Sequence, residues 1–564
     1  MSRKAARKRA KKRRMGALLV FLVLIIIVAI FLIQRFAPGK ENADLNEYFN
    51  IQTADDMGVV WQDTKSDTVG KVYDGHVYVE YEFLKNNINP IFYFDYNENQ
   101  LIYTLPGELV TAGVGTGEYY IAKNKNTFEY PIVKIDAKQA YVSIDFVQRY
   151  TNLDYKYFEN PSRVMITSQW GKINTATVSK NDSVRVLAGI KSKILSEAKK
   201  GDSVWVIGDE GRWKKVRTSD GYVGYIPAGS LTKVKEETIS RDFTEIKYDS
   251  IKKEGTINMT FFQTTNKQSN TSFLTSLASS KGVNVVAPTW FNLANDDGDI
   301  NSYASSECVN YAHQLGIEVW ATVNDVDGGG DADNILNYTS KRQKLVNQLV
   351  SEAIQYNIDG INVDLEYVDP KSANGYIQFI RELSVKCHNN GISLSVDNYP
   401  PAGFNMFYNR SQQAVFADYV VVMAYDEHNK TTGAGSVASI GFVRQSVENT
   451  LKDVPAEKLV LGIPFYTRVW KEGGDELQLV SVSMNEAKSR YESNGANPRW
   501  LDDCGQYYVE YKNGGFNYKI WLEEDKSIEE KLKVMKEQKL AGVASWKLGL
   551  QFDSIWDVIL KYTN

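Results

Sequence analysis

The sequence predicts an α/β protein: a (β/α)8 TIM barrel with a small α+β insertion over residues 255–564, preceded by small all-β domains and one transmembrane helix. Three observations lead there. Apolar strand candidates at Ile257–Phe262, Val283–Phe291, Ile317–Val323, Gly360–Tyr367, Ile392–Asn398, Tyr419–Tyr425, Leu459–Phe465 and Val543–Leu548 alternate with helical stretches, and eight strands in that alternation predict a closed parallel barrel. Short β-type runs broken by turn signals fill the region before it. A charge-free run rich in Leu, Ile and Val, from Gly16 to Ile33, is long enough to cross a bilayer as a helix.

Nine of the first fourteen residues are Lys or Arg, all before that apolar run. Positive charge stays on the cytoplasmic side, which places the N-terminus inside and everything after about Gln34 outside. A cleavable signal peptide competes with this reading, but its apolar core would be shorter, and no small-x-small cleavage site follows Ile33. The expected order is a basic cytoplasmic tail (1–15), a transmembrane signal anchor (16–34) and a polar linker (35–70).

Length alone bounds the rest at about three to four domains. A net charge of −4 does not point to nucleic acid as a partner. Three cysteines, Cys308, Cys387 and Cys504, exclude a disulfide framework, and low cysteine in an exported chain suits a bacterial surface protein. His76, His313, His388 and His428 are scattered without ligand spacing, so neither a metal site nor a cofactor is expected.

Residues 71–169 hold an internal duplication at a constant offset of 63. Val79-Glu80-Tyr81-Glu82-Phe83-Leu84 matches Val142-Ser143-Ile144-Asp145-Phe146-Val147, Phe92 and Phe94 match Tyr155 and Tyr157, and Asn97, Leu101 and Thr104 match Asn160, Val164 and Thr167. Two copies of a small β-rich unit are predicted. The segment resembles the small repeat named after the N-terminal domain of copper amine oxidases, a name that implies no copper here. Its tyrosines are read as packing residues before a glycan-binding face. Residues 172–235 predict a small barrel. There the order Arg185, Gly201-Asp202, Trp213 and Gly221-Tyr222-Val223-Gly224-Tyr225-Ile226 resembles the bacterial Src-homology-3-like domains of cell-wall hydrolases. Such domains bind wall peptides or space an enzyme from the membrane, and both roles stay open.

The most informative stretch is Asp359-Gly360-Ile361-Asn362-Val363-Asp364-Leu365-Glu366. Along a strand, Ile361, Val363 and Leu365 share one face, and Asn362, Asp364 and Glu366 share the other. Neighbours on that second face sit roughly 6–7 Å apart, close enough for two carboxylates to couple and for one to hold a proton near neutral pH. A solvated edge strand with a polar face is the competing reading. It is weakened by the aliphatic opposite face and by the amphipathic stretch Lys341 to Tyr356 ahead of it. Chemistry in such a barrel sits at the C-terminal strand ends. Glu366 ends the fourth strand candidate, Tyr425-Asp426 the sixth, Tyr466 follows the seventh and Trp546 lies on the eighth. The long gap between the last two strands holds Val480-Ser481-Val482 and Tyr507-Tyr508-Val509-Glu510-Tyr511, where the α+β insertion is expected to wall one side of a cleft.

With these residues in place the region resembles glycoside hydrolase family 18, the chitinase-like enzymes. Asp359–Glu366 stands for the family's D-G-x-D-x-D-x-E, Met423-Ala424-Tyr425-Asp426 for its M-x-Y-D, and Ser545-Trp546-Lys547-Leu548-Gly549 for its final tryptophan strand. The resemblance implies that Glu366 is the general acid and that Asp364 holds the substrate's acetamido N–H, so that the acetamido oxygen attacks the anomeric carbon. It implies further that Tyr425 bonds the acetamido carbonyl and that Trp546 is the apolar floor under that sugar; a plain core aromatic is the alternative for Trp546. Asn362, Asp426, Tyr399 and Trp290 complete the expected substrate contacts, Asp426 and Tyr399 equally as supporting or structural residues.

Position 362 departs from the motif, which usually has Asp there. An amide cannot share a proton with Asp364, though it can donate a hydrogen bond to it, and that bond is expected. The same Asn, with Val323-Asn324-Asp325, resembles the peptidoglycan and spore-wall branch. The expected function is therefore a membrane-anchored, extracytoplasmic N-acetylglucosaminidase acting on an N-acetylated wall glycan. A chitinase and a chitinase-like lectin are the rivals; loss of the acid makes lectins of family members, and Glu366 is present.

Overall fold

The computed structural model describes residues 3–474 and 476–564; the first two residues of the expected basic tail lie outside them. The chain forms two compact units. The first comprises residues 1–90, 114–117 and 128–245, and the second Ile91–Gly113, Glu118–Thr127 and Ile246–Asn564.

The first unit begins with a helix, Arg3–Phe36, that is long and apolar enough to cross a membrane. Two β-layers follow. One sheet joins, among others, Asp56–Trp61, His76–Glu80, Gln139–Ser143 and Arg163–Thr167. The other is a seven-stranded antiparallel sheet from Gly171–Thr177 to Lys235–Ile239. Its small core is Val184, Val204, Val216 and Ile226, all buried. The duplicated sequence repeats as structure, element for element: strand His76–Glu80, helical turns from Tyr81 and the hairpin Phe92–Asp95/Gln100–Thr104 correspond to strand Gln139–Ser143, helix Ile144–Gln148 and hairpin Asp154–Phe158/Arg163–Thr167. The two leading strands pair antiparallel with Val79 opposite Val142.

The first copy's hairpin belongs to the second unit, in a five-stranded sheet that runs to Asn124–Thr127. There it completes a barrel helix. Tyr338 precedes the helix Thr339–Tyr356 and offers no side-chain cap. The buried Asp95 carboxylate accepts instead from the Thr339 N–H at 2.7 Å and its hydroxyl at 2.6 Å. A negative charge on the otherwise unpaired N–H groups of a helix start is favourable on both counts. One turn on, buried Arg342 pairs with Glu382 at 3.0 Å.

Eight parallel strands close the barrel: β1 (Ile257–Phe262), β2 (Val285–Pro288), β3 (Glu318–Asn324), β4 (Gly360–Asp364), β5 (Ser393–Asn398), β6 (Tyr419–Met423), β7 (Leu459–Pro464) and β8 (Gly542–Trp546). Each pairs with its sequence neighbours, and β8 pairs with β1. Strand alternation divides the side chains. Ile361, Val363, Leu394 and Val396 point outward into the main core beneath the helices, while Trp320, Tyr419, Val421 and Ala544 fill the lower interior. Trp320 stacks on Tyr419 there, ring centroids 5.5 Å apart. This filling leaves no room at β4's start: a Cβ on Gly360 would lie 2.5 Å from the Trp320 ring.

Between β7 and β8 the expected insertion is a five-stranded antiparallel sheet, Tyr466–Glu472 through Phe516–Leu522, carrying the helix Met484–Ser493.

Candidate active site

Above the apolar plug the inward positions turn polar. Thr322 and Asn324 on β3, Asn362 and Asp364 on β4, and Ser395 and Asp397 on β5 are all buried. The register sets Thr322 level with Asn362 and Asn324 level with Asp364. Across the next seam Asn362 is level with Ser395, so two residues further on Asp364 and Asp397 face each other.

The motif divides into three tasks. Asp359 stands at the entry to β4, away from the mouth, where its carboxylate accepts from the Val319 N–H and contacts His313 Nε2, both at 2.8 Å. Asp364 is 7 % exposed at the strand's end. Burial, then Asp397, then Glu366 push its carboxyl well above the usual range. Glu366 lies two residues past the strand. Its backbone N–H and that of Tyr367 donate to the two oxygens of Asp325, at 2.8 and 3.0 Å, and the Tyr408 hydroxyl donates to its carbonyl at 3.0 Å. The Glu366 carboxylate accepts from the Tyr399 hydroxyl. Burial raises its pKa, the Tyr399 bond pulls it back, and the Asp325 and Asp426 charges raise it.

Tyr425 is partly buried next to Tyr466, and burial followed by the charges of Asp364 and Asp397 holds its hydroxyl protonated. Asp426 takes a left-handed backbone, φ 62°, a conformation uncommon outside glycine but tolerated by Asp. That turn brings its carboxylate to the Tyr466 hydroxyl and the Arg468 guanidinium. Two hollows meet at Asp426 and Arg468. One, of about 550 Å³, is lined by Tyr399, Pro400, Phe404 and Tyr425; the other, of about 540 Å³, by Tyr466, Glu486, Trp546 and Lys547. Trp546 packs on Phe261 from below, centroids 5.4 Å apart, and presents its remaining surface to the second hollow.

Two expectations fail. Trp290 is fully buried, donates its indole N–H to Asn270 Oδ1 at 3.0 Å and packs near Phe273, so it belongs to the core and not to the cleft. Asn362 does not donate to Asp364. Its Nδ2 is used by Asp397 Oδ1 at 2.8 Å and Ser395 Oγ at 3.0 Å, because β5 sits closer to it than the residue two along its own strand.

Sequence reasoning missed Asp397, Asp325 and Arg468. Asp397 carried a legible signal: Ser393, Ser395 and Asp397 alternate with aliphatic residues in the same way that exposed the acid face of β4. The roles of Asp325 and Arg468 carried none: Asp325 acts from the loop after β3 and Arg468 from a strand of the insertion, and no strand pattern fixes where either meets the mouth.

An inward row of buried carboxyls at the C-terminal mouth of a barrel is the arrangement that general acid–base chemistry requires. The model of the glycosyl hydrolases family 18 matches residues 246–551, more than half of the chain, and the chain belongs to that family. It is a glycoside hydrolase. A bacterial SH3 domain model matches residues 180–232. Among curated proteins the chain is similar to the uncharacterized glycosylase YvbX of Bacillus subtilis (strain 168), at 28% identity over 283 residues, covering 48% of this chain and 81% of that protein. It is also similar to the cortical fragment-lytic enzyme of the same organism, at 28% identity over 247 residues, covering 41% of this chain and 56% of that enzyme. The fold matches the crystal structure of the Bacillus cereus spore cortex-lytic enzyme SleL with a TM-score of 0.51 and 21% identity, over 58% of this chain and 79% of that one.

Proposed function

We propose that this glycosidase is held on the membrane by its N-terminal helix, faces away from the cytoplasm and hydrolyses N-acetylglucosaminyl linkages in bacterial wall glycan by substrate-assisted, retaining catalysis. The observation that carries the reading is that Asp364, Glu366 and Tyr425 stand at the C-terminal ends of β4 and β6, near enough for Glu366 to act electrostatically on Asp364 and Asp364 on Tyr425. Glu366, its pKa raised by burial, donates its proton to the glycosidic oxygen. Asp364 holds the acetamido N–H of the sugar resting on Trp546, and Tyr425, a protonated donor, holds the acetamido carbonyl whose oxygen attacks the anomeric carbon. That oxygen serves as the nucleophile, so a separate carboxylate nucleophile is not needed. Asp426 and Tyr399 support the cleft.

Wall glycan is favoured as substrate by relatives named for spore cortex lysis and by the SH3-type domain ahead of the barrel. The anchor (16–34), linker (35–70), duplicated unit (71–169) and SH3-like barrel (172–235) hold the catalytic domain (255–564) over the wall. Digestion of purified sacculi and of chitin oligomers side by side, with mass analysis of products, tests this. Release of glycan fragments from sacculi at the higher rate is expected. Preference for chitin would make the protein a chitinase, and binding without release a lectin.

A further inference from the structure

We propose that Asp397 is a positioning residue for catalysis: it shares one proton with Asp364 and is fixed for that task by Asn362. The inference rests on the reading of Asp364 given above. Four observations carry it. Asp364 and Asp397 are inward neighbours on adjacent strands, level with each other two residues past the Asn362/Ser395 pair. Adjacent strands run roughly 4.8 Å apart, so the two carboxyls lie side by side. Both are buried, and Asp364 Oδ1 and Asp397 Oδ2 are each without a hydrogen-bond partner among the described residues. The other oxygen of Asp397 is occupied by the Asn362 amide, which offers hydrogen but cannot take up the proton.

Two buried carboxylates on neighbouring positions of adjacent strands resist being ionised together, and a proton held between them would satisfy both unpartnered oxygens at once. Burial and the Glu366 charge raise the Asp397 carboxyl to about 8, against the Asn362 bond that lowers it. The groups facing the pair are Glu366 beyond β4, Asp325 and Asp327 beyond β3, Tyr399 and Tyr408 beyond β5, Tyr425 beyond β6, and Tyr376 on the helix Ala373–His388. None of these is a cation, so the pair keeps its proton at neutral pH. When Asp364 turns to the acetamido N–H, the O–H bond stays with Asp397, and Asp364 meets the substrate as a carboxylate. The positive charge that develops on the ring then faces a full negative charge.

The test uses the full chain in detergent, with Asp397→Asn, Asp364→Asn and the exchange Asn362→Asp/Asp397→Asn. Asparagine at 397 still accepts the Asn362 amide hydrogen, so the packing is kept. Infrared difference spectra of the native chain against each single variant, in which the Glu366 carboxyl cancels, read the proton without substrate at neutral pH: a shared proton lowers and broadens the carbonyl stretch, and removal of either partner is expected to shift the remaining carboxyl's stretch to higher frequency. On wall glycan, Asp397→Asn is expected to lower kcat on the order of 10²-fold with little change in KM, and the exchange variant, which returns a carboxyl to the neighbouring position 362, regains most of that loss. A carbonyl stretch left unmoved in Asp364→Asn, or kcat near native in Asp397→Asn, would overturn the shared proton. If instead the native chain cleaves no glycan while the spectra behave as stated, the functional reading falls and the shared proton stands.

Discussion

The Tyr399 hydroxyl donates its hydrogen bond to the Glu366 carboxyl, from the residue just past β5 to the second residue past β4. The bond favours the ionised form of a group whose burial favours the protonated one. Tyr399 thereby sets how strong an acid Glu366 is without taking part in its proton transfer.

Tyr399→Phe removes that donor, so the Glu366 pKa rises. A general acid works only while protonated, and the alkaline limb of kcat/KM reports its loss. The limb is expected to move to higher pH, because the lost hydrogen bond favoured the charged form. A limb that stays in place or moves to lower pH would show that another group sets it.

Glu366→Gln preserves shape and removes the proton, so hydrolysis is expected to vanish while binding of wall glycan persists. Asp364→Asn is expected to cost on the order of 10²–10⁴ in kcat, the range for a carboxylate that orients and stabilises the reacting group. Turnover and pull-down on sacculi measure the two properties separately. Near-normal turnover in either variant would move the active site elsewhere.

The barrel and its acid pattern were legible because both follow from strand alternation. Ile361 and Val363 had to face the helices, which left Asn362 and Asp364 facing in. What was not legible depends on which strands are neighbours in space. Asn362 could be paired on paper only with residues of its own strand, and its actual partner, Asp397, is thirty-five positions away. Trp290 failed for a related reason: an aromatic at a strand end reads alike whether its side chain turns to the mouth or, as here, toward Phe273 beneath a helix. The first copy's hairpin was placed by the duplication, but its role in capping the helix at Thr339 needed the fold.

The buried acid pair also makes stability depend on pH. In the unfolded chain an Asp titrates near 3.9, and in the folded barrel Asp397 titrates at about 8. A raised pKa means that the folded state keeps the proton longer, so this contribution is whole below about pH 4 and is lost as pH rises toward 8. Asp397→Asn removes the share of the dependence that Asp397 contributes. Its stability relative to the native chain is expected to grow by about 2–4 kcal/mol between pH 5 and pH 8, read as a widening gap between the melting temperatures of the two. Parallel melting curves across that range would rule out the raised pKa.

Topology is open to a direct measurement. The nine basic residues ahead of the apolar helix favour a cytoplasmic N-terminus. Protease added to intact, wall-stripped cells is expected to remove the barrel and spare only the anchor. Protection of the barrel would reverse the orientation.

The products carry the most demanding prediction, because in the proposed mechanism the substrate itself supplies the nucleophile. Both wall sugars can bear an acetamido group, but the lactyl ether of muramic acid adds bulk next to the sugar that must press on Trp546, in a hollow already narrowed by Tyr466 and Lys547. The sugar on the cleaving side is therefore predicted to be N-acetylglucosamine. New reducing ends are expected to be N-acetylglucosamine with retained anomeric configuration, since two successive inversions, first by the acetamido oxygen and then by water, restore the starting face. Chemical de-N-acetylation of the sacculi is expected to stop the reaction, because it removes the nucleophile and the group that Asp364 and Tyr425 hold. Muramic acid at the new ends, or undiminished cleavage of the de-N-acetylated wall, would overturn the mechanism even for an active glycosidase.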